Sequence, residues 1–224
     1  MIDINNTLDL IKIKFYNEWL YSSHVLPADE DAINSTITEK VVSEFIDPLN
    51  VPKDAVIMDM GCGSGYFLDQ MKERGYTNVT GVTLVEEDKK KCEERGHKVS
   101  TYDFSFIPQK DGYWDESVDF IFFRQGLQSS PYPIFTLMEY NRILKQNGLM
   151  YIEVPAPDCE RNLEELDNNY SILGQKQLAA LLKRTGFEIL SFKTLEFNGS
   201  KDEETFNEKY FSLIVRKKQP IDVK

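Results

Sequence analysis

Apolar residues along this chain follow two rhythms. Short, nearly unbroken apolar runs occupy residues 55–60, 79–84, 118–123 and 149–154, with a shorter one at 98–102. Runs of this length predict strands buried on both faces. Between them lie stretches with helical spacing. Residues 66–74 place Phe67, Leu68 and Met71 on one face, and residues 86–95, 133–145 and 176–185 read as further helices. Gly75, Gly96, Gly148 and Gly186 stand where these helices should stop, because glycine adopts the left-handed capping conformation without a Cβ penalty. Strand and helix in alternation predict an α/β fold, a parallel sheet covered on both faces. The last two apolar segments, 187–197 and 208–216, follow each other without a helix. They predict an antiparallel hairpin at one edge, with the polar segment 198–204 as its loop.

The first 54 residues precede this pattern. Residues 7–21 predict a helix with Leu8, Ile11, Phe15 and Trp19 on one stripe, and residues 29–46 hold a second with Ile33, Ile37, Val41 and Phe45. Pro48 and Pro52 then break the chain before the first strand. The organisation expected is an N-terminal helical cap, 1–54, and one larger domain, 55–224. Tyr16, Trp19, Tyr21 and His24 either line a pocket under that cap or belong to the helical core.

The composition narrows the chemistry. Of 224 residues, 41% are hydrophobic and 28% charged, which excludes a disordered or low-complexity chain. No apolar stretch is long enough for a membrane helix, and the first residues lack the basic and apolar regions of a secretory leader. The three cysteines, Cys62, Cys92 and Cys159, are odd in number and far apart. They fit a reducing, cytoplasmic setting. The net charge of −11 argues against nucleic acid as a partner. Two histidines and no Cys-x-x-Cys supply neither a metal site nor a Ser-His-Asp triad.

The informative segment is 59–67, D-M-G-C-G-S-G-Y-F. It leaves a strand and opens a helix. Gly61, Gly63 and Gly65 let the backbone turn sharply and let a ligand lie against the main chain, while the amides of the next helix favour an anionic group. A nicotinamide fingerprint would need a glycine where Tyr66 stands, and the Walker pattern needs a Gly-Lys-Ser/Thr that does not follow. Asp59 adds a carboxylate suited to a ligand ammonium. A zwitterion and a nucleoside at one site point to an amino-acid-bearing nucleoside.

In these residues the chain resembles the class I S-adenosylmethionine-dependent methyltransferases, whose first loop has the form acid-x-G-x-G-x-G. The resemblance runs from about Asp54 to Arg216. It implies a Rossmann-like three-layer sandwich with seven strands in the order 3-2-1-4-5-7-6, strand 7 antiparallel, and S-adenosyl-L-methionine as cofactor. It also implies cofactor contacts from Asp59, Gly61, Cys62, Gly63, Gly65 and Tyr66. Where the family usually ends its second strand in an acid, this chain has Thr83 and Leu84. The run from Gly81 is similar to the cyclopropane-synthase-like branch, in which Thr83 and Asp88 would share the ribose. Asp88 also reads as a first-turn acid favoured by the helix dipole. Asp103 would accept from the adenine amino group, with Phe104 beside it; the bland reading of Asp103 is a turn former.

Beyond the fourth strand, residues 123–158 resemble small-molecule methyltransferases of bacteria and phages. Where those commonly carry histidines, this chain has Gln125, Gln128 and Ser129. Arg124 and Gln125 are expected near the cofactor. Arg124 as an anion clamp, Glu153 as a base or ammonium partner and Tyr170 are the candidates around a small-molecule acceptor. Their bland alternatives are a surface ion pair, a structural ion pair and a core ring. The function expected is direct methyl displacement. The rivals are a non-catalytic relative that binds the nucleoside or a protein partner, and a nicotinamide oxidoreductase.

Overall fold

The computed structural model describes residues 32–108, 115–159, 169–201 and 204–218. The chain enters on helix α1 (Ala32–Val41), widens into a π-helical turn (Val42–Ile46) and tightens into a 3-10 turn (Asp47–Leu49). Asn50 closes this entry in the left-handed conformation. Alternation follows: β1 (Ile57–Met60), α2 (Tyr66–Glu73), β2 (Val79–Thr83), α3 (Glu86–Glu94), β3 (Lys98–Thr101) and β4 (Val118–Arg124). After a 3-10 turn (Leu127–Ser129) come α4 (Pro133–Ile143), β5 (Leu144–Pro155), α5 (Gln175–Arg184), β6 (Phe187–Lys201) and β7 (Glu204–Lys217).

The strands form one sheet in the order β3-β2-β1-β4-β5-β7-β6. β1, β2, β3, β4 and β5 pair in parallel, and β7 runs antiparallel to both β5 and β6. The expected fold class and strand order are therefore observed. The order reverses between β1 and β4, which opens a crevice at the carboxyl ends of these two strands. Ligands of open α/β sheets bind at such a switch point.

Period-two alternation sorts the core into two layers. From β4, Ile121 and Phe123 join Met58, Met60, Tyr140 and Ile152 on the face covered by α4 and α5. Phe120 and Phe122 point the other way and join Ile57, Phe67, Phe45 and Tyr151 under α1 and α2. Phe122 stacks between Phe67 and Tyr151, with ring centroids 3.9 and 5.1 Å away. Each such buried side chain contributes about 1.5–3 kcal/mol. The same alternation puts Asp59, Arg124 and Glu153 on the α1/α2 face at the crevice end of the sheet.

Two expectations are corrected. Residues 198–201 and 204, expected in the loop, are strand. β6 and β7 stay paired from Phe187↔Lys217 to Lys201↔Glu204, so backbone pairing carries the hairpin through residues whose side chains read as polar. Gly148 is not a helix stop in the left-handed region. α4 ends at Ile143 and the chain enters β5 at once. Asn147 takes the positive φ of 64°, and Gly148 is needed for space: a Cβ there would lie 2.8 Å from the Lys145 carbonyl and 3.3 Å from that of Asp119. The N-terminal helix 7–21 and the aromatic residues Tyr16, Trp19, Tyr21 and His24 lie outside the described residues. Among the described residues no helix is long and apolar enough to cross a membrane.

Candidate functional site

The loop between β1 and α2 is built by three left-handed glycines: Gly61, Gly63 and Gly65 have φ of 79°, 48° and 78°. An L residue avoids this region, and an αL conformation costs a non-glycine about 1–3 kcal/mol. The loop is tied to β2, since the amides of Gly61 and Cys62 both donate to the Val82 carbonyl, at 2.9 and 2.8 Å. Gly65 is the N-cap of α2 and offers no side-chain cap, so the helix presents its first turn to the crevice. A Cβ on Gly61 would meet only the Phe104 ring, at 3.8 Å. The main chain at Gly61 and the Phe104 ring are thus neighbours.

Asp59 ends β1 just before this loop. It is buried, and no hydrogen bond from the described residues reaches its carboxylate. Burial holds its carboxyl well above the usual range; Cys92 adds to this, and the Arg124 guanidinium opposes it. A buried carboxylate without a donor favours a cationic ligand group strongly.

One strand over, Arg124 pairs with Glu153 across the β4–β5 register. Arg124 Nε donates to Glu153 Oε1 at 2.8 Å, and Arg124 Nη1 donates to Thr38 Oγ1 of α1 at 3.3 Å. Glu153 also accepts from Gln125 Nε2 at 3.4 Å, from the Tyr151 hydroxyl at 2.6 Å and from Ser212 Oγ at 2.9 Å. The Tyr151 hydroxyl is held well above its ordinary range, first by burial and then by the Glu153 charge. Four donors thus converge on one carboxylate, while Arg124 keeps Nη2 without a partner among the described residues.

At the end of β2, Thr83 Oγ1 accepts from the Val85 amide at 3.0 Å and so fixes the entry into α3. Thr83 is buried, and Asp88 is buried although its helix neighbours Glu86 and Glu87 face outward. At the end of β3, Asp103 accepts from the Ser105 amide at 2.7 Å. Burial raises its carboxyl above the ordinary value against that hydrogen bond. Phe104 meets Phe123 edge to face, with centroids 5.2 Å apart.

Past β4 the chain turns at Gln125, whose φ is 53°. Its amide donates to the Glu153 carbonyl at 2.8 Å. Gln128 Nε2 donates to the Gln125 carbonyl at 2.7 Å. The buried Gln128 Oε1 has no hydrogen-bond partner among the described residues. Tyr170 is drawn in by its backbone, its amide donating to the Gln128 carbonyl at 2.8 Å, while the residue itself is exposed.

The loop 59–65, Thr83, Asp88, Asp103, Phe104 and Arg124 all lie at or just beyond the carboxyl ends of the parallel strands. Thr38, Tyr151 and Ser212 complete the Glu153 network and were not foreseen. Only Tyr151 left a sequence signal, as a strand residue two positions before Glu153 and so on the same face. A groove of about 660 Å³, lined by Lys176, Lys183, Phe187 and Phe192 among others, lies between α5 and the start of β6. It shares no residue with this site and belongs to the other end of the sheet.

The arrangement fits an adenosine-bearing zwitterion. The loop brings the Gly61 main chain against only the Phe104 ring, α2 starts without a side-chain cap, and no donor among the described residues reaches the buried Asp59 carboxylate. A methyltransferase-domain family model matches residues 37–192. The 27-O-demethylrifamycin SV methyltransferase of Amycolatopsis mediterranei is 22% identical over 173 residues, 71% of this chain and 64% of that protein. The chain thus spans just under two-thirds of that relative's length. Two solved structures share the fold. An S-adenosylmethionine-dependent methyltransferase from Methanosarcina mazei superposes with a TM-score of 0.63 at 20% identity, over 79% of this chain and 98% of that one. The [4+2]-cyclase SpnF superposes with a TM-score of 0.64 at 18% identity, over 83% and 81%. The chain belongs to the methyltransferase-domain family, and its fold is the Rossmann-like one it shares with the solved S-adenosylmethionine-dependent methyltransferase above.

Proposed function

We propose that this chain transfers a methyl group from S-adenosylmethionine to a small-molecule acceptor. The observation that carries the reading is Asp59, a buried carboxylate without a donor among the described residues, at the mouth of a glycine loop that opens an uncapped helix. The ligand's ammonium supplies the missing cation, and the backbone from Gly61 to Gly65, with Cys62 and the first turn at Tyr66, lies along its amino-acid and ribose portions. Thr83 and Asp88 take the ribose hydroxyls, with Leu84 beside them. Asp103 accepts from the adenine amino group, with Phe104 next to the ring. Helix α1, through Thr38, closes over the acceptor side at Arg124.

The bound donor supplies a methyl carbon made electrophilic by its positive sulfur. The protein's task is mainly alignment, which can supply up to about 7–11 kcal/mol. Arg124 is the acceptor-side cation, its Nη2 available to an anionic or carbonyl oxygen, with Gln125 shaping the turn beside it. Glu153 has its oxygens taken by four donors and acts as a positioning residue that aims Arg124. Tyr170 forms part of the outer wall. The Amycolatopsis relative is named for methylating a small molecule, which supports the acceptor class.

A second reading is a protein that binds the nucleoside without transferring methyl. Its support is the full engagement of Glu153 and the glutamines where similar enzymes carry histidine. Incubation with S-adenosylmethionine and a panel of phenols, carboxylates and amines separates the two. Acceptor-dependent release of S-adenosylhomocysteine is expected. Tight cofactor binding with no release across the panel would refute transfer and leave the second reading.

A further inference from the structure

The nucleotide loop carries a cysteine, and a second cysteine stands against it. Cys62 lies between Gly61 and Gly63, and Cys92 lies near the end of α3. The two share a small apolar cluster with Leu68 and Val99, and their thiols hydrogen-bond each other. Two glycines make room for them. A Cβ on Gly65 would fall 2.6 Å from Cys92 Sγ, and a Cβ on Gly81 would fall 2.8 Å from Cys62 Sγ. Cys92 Sγ also donates to the Gly63 carbonyl at 3.5 Å. Cys159, the third cysteine, sits against the Lys209 amide on β7, away from the loop.

We propose that Cys62 and Cys92 are a reversible disulfide site that shuts the loop against its nucleoside ligand. The proposal rests on this loop being the cofactor site. The pair is prepared for the chemistry. The Cys62 thiol and the Arg95 guanidinium, 4.0 Å from Cys92 Sγ, favour the Cys92 thiolate, whose pKa is lowered, while the same hydrogen bond and burial keep Cys62 protonated. A hydroperoxide is the oxidant. The Cys92 thiolate attacks one peroxide oxygen, the O–O bond breaks, and the departing alkoxide takes a proton to become an alcohol, or water from hydrogen peroxide. Cys62 sulfur then attacks the Cys92 sulfenic sulfur. Hydroxide leaves with the Cys62 proton as water. Two thiols lose two electrons, and the hydroperoxide gains them.

The sulfurs move from hydrogen-bond distance to about 2 Å, which draws the loop toward α3 and withdraws Cys92 from the Gly63 carbonyl. A displacement of about 1 Å in a site built on alignment is enough to cost about two orders of magnitude in transfer rate. Cys62 is the more exposed of the two, and peroxide reaches the buried Cys92 past it.

The test uses the full chain, first reduced and then treated with hydrogen peroxide. Intact mass should fall by the two hydrogens of a disulfide, and a non-reducing digest should join the peptides that contain Cys62 and Cys92. Affinity for S-adenosylhomocysteine should drop at least tenfold and return with dithiothreitol. Cys92→Ser should bind as the reduced protein does and ignore peroxide, and Cys159→Ser should respond like the unmodified chain. Should Cys92→Ser fail to fold, the peptide map and affinities of the unmodified chain decide alone. Sulfinic acid without a cross-link, a cross-link to Cys159, or a cross-linked chain with unchanged affinity would overturn the proposal. If the reduced chain does not bind S-adenosylhomocysteine at all, the cofactor-site reading falls and the switch with it; the peptide map still reports separately whether the bond forms.

Discussion

Replacing Glu153 tests how the acceptor side is held. Its side chain is 2% exposed and that of its partner Arg124 14%. In Glu153→Ala, Arg124 Nε, Gln125 Nε2, Tyr151 Oη and Ser212 Oγ lose their common acceptor, and a mostly buried guanidinium loses its counter-charge. Removing one member of a buried ion pair costs about 3–5 kcal/mol. Glu153→Gln is milder. The new amide turns its oxygen to Arg124 and Gln125 and its nitrogen to the hydroxyls of Tyr151 and Ser212, which reverse and accept. Four contacts survive and the charge is lost, so the cost is about 1–2 kcal/mol, the gap between charged and neutral hydrogen bonds. Urea unfolding at constant m-value reads both numbers. The pH profile of methyl transfer supplies the other half: a positioning Glu153 predicts that Glu153→Gln lowers the rate while the profile keeps its shape. An alanine variant within about 1 kcal/mol of the parent would refute the network. Loss of the acidic limb in the glutamine variant would make Glu153 the base.

Asp59→Asn should raise the stability of the ligand-free protein and weaken S-adenosylhomocysteine binding at least tenfold, by thermal unfolding and calorimetry; unchanged affinity would remove Asp59 from the site. The pH dependence follows from the same residue. Its folded-state carboxyl is held above the ordinary 3.8, so this group's contribution is fully present below that value and is lost as pH rises through its folded pKa. The asparagine variant should lack that decline. Gly65→Ala should cost about 2–5 kcal/mol in urea, from the left-handed backbone and the 2.6 Å approach to Cys92 Sγ; a neutral effect would contradict the loop geometry. Asp103→Ala should weaken S-adenosylhomocysteine by about 1.5–3 kcal/mol and leave homocysteine binding untouched; equal losses for both would refute an adenine contact.

The fold was legible because burial on both faces writes continuous apolar strands, and left-handed stops select glycine at 75, 96 and 186. The same logic misplaced 148: Asn147 tolerated the left-handed conformation, and Gly148 answered a close approach that no local pattern records. The hairpin outran its apolar signal because backbone pairing does not require apolar side chains. At the site, the glycine loop could be read from spacing, and the strand-end positions followed from the family resemblance. The Glu153 network could not, since Thr38, Ser212 and Glu153 meet only through the β5–β7 pairing and the packing of α1. The contact of Cys62 with Cys92, thirty residues further along the chain, likewise depends on space cleared by Gly65 and Gly81, which no local pattern records.

The loop's role as a nucleoside site is tested most directly by titrating S-adenosylhomocysteine into reduced, folded protein in a calorimeter, beside the Asp59→Asn variant. One-to-one binding to the parent and a loss of at least tenfold in the variant is the result predicted. No heat from the parent, or equal affinity in both, would contradict it.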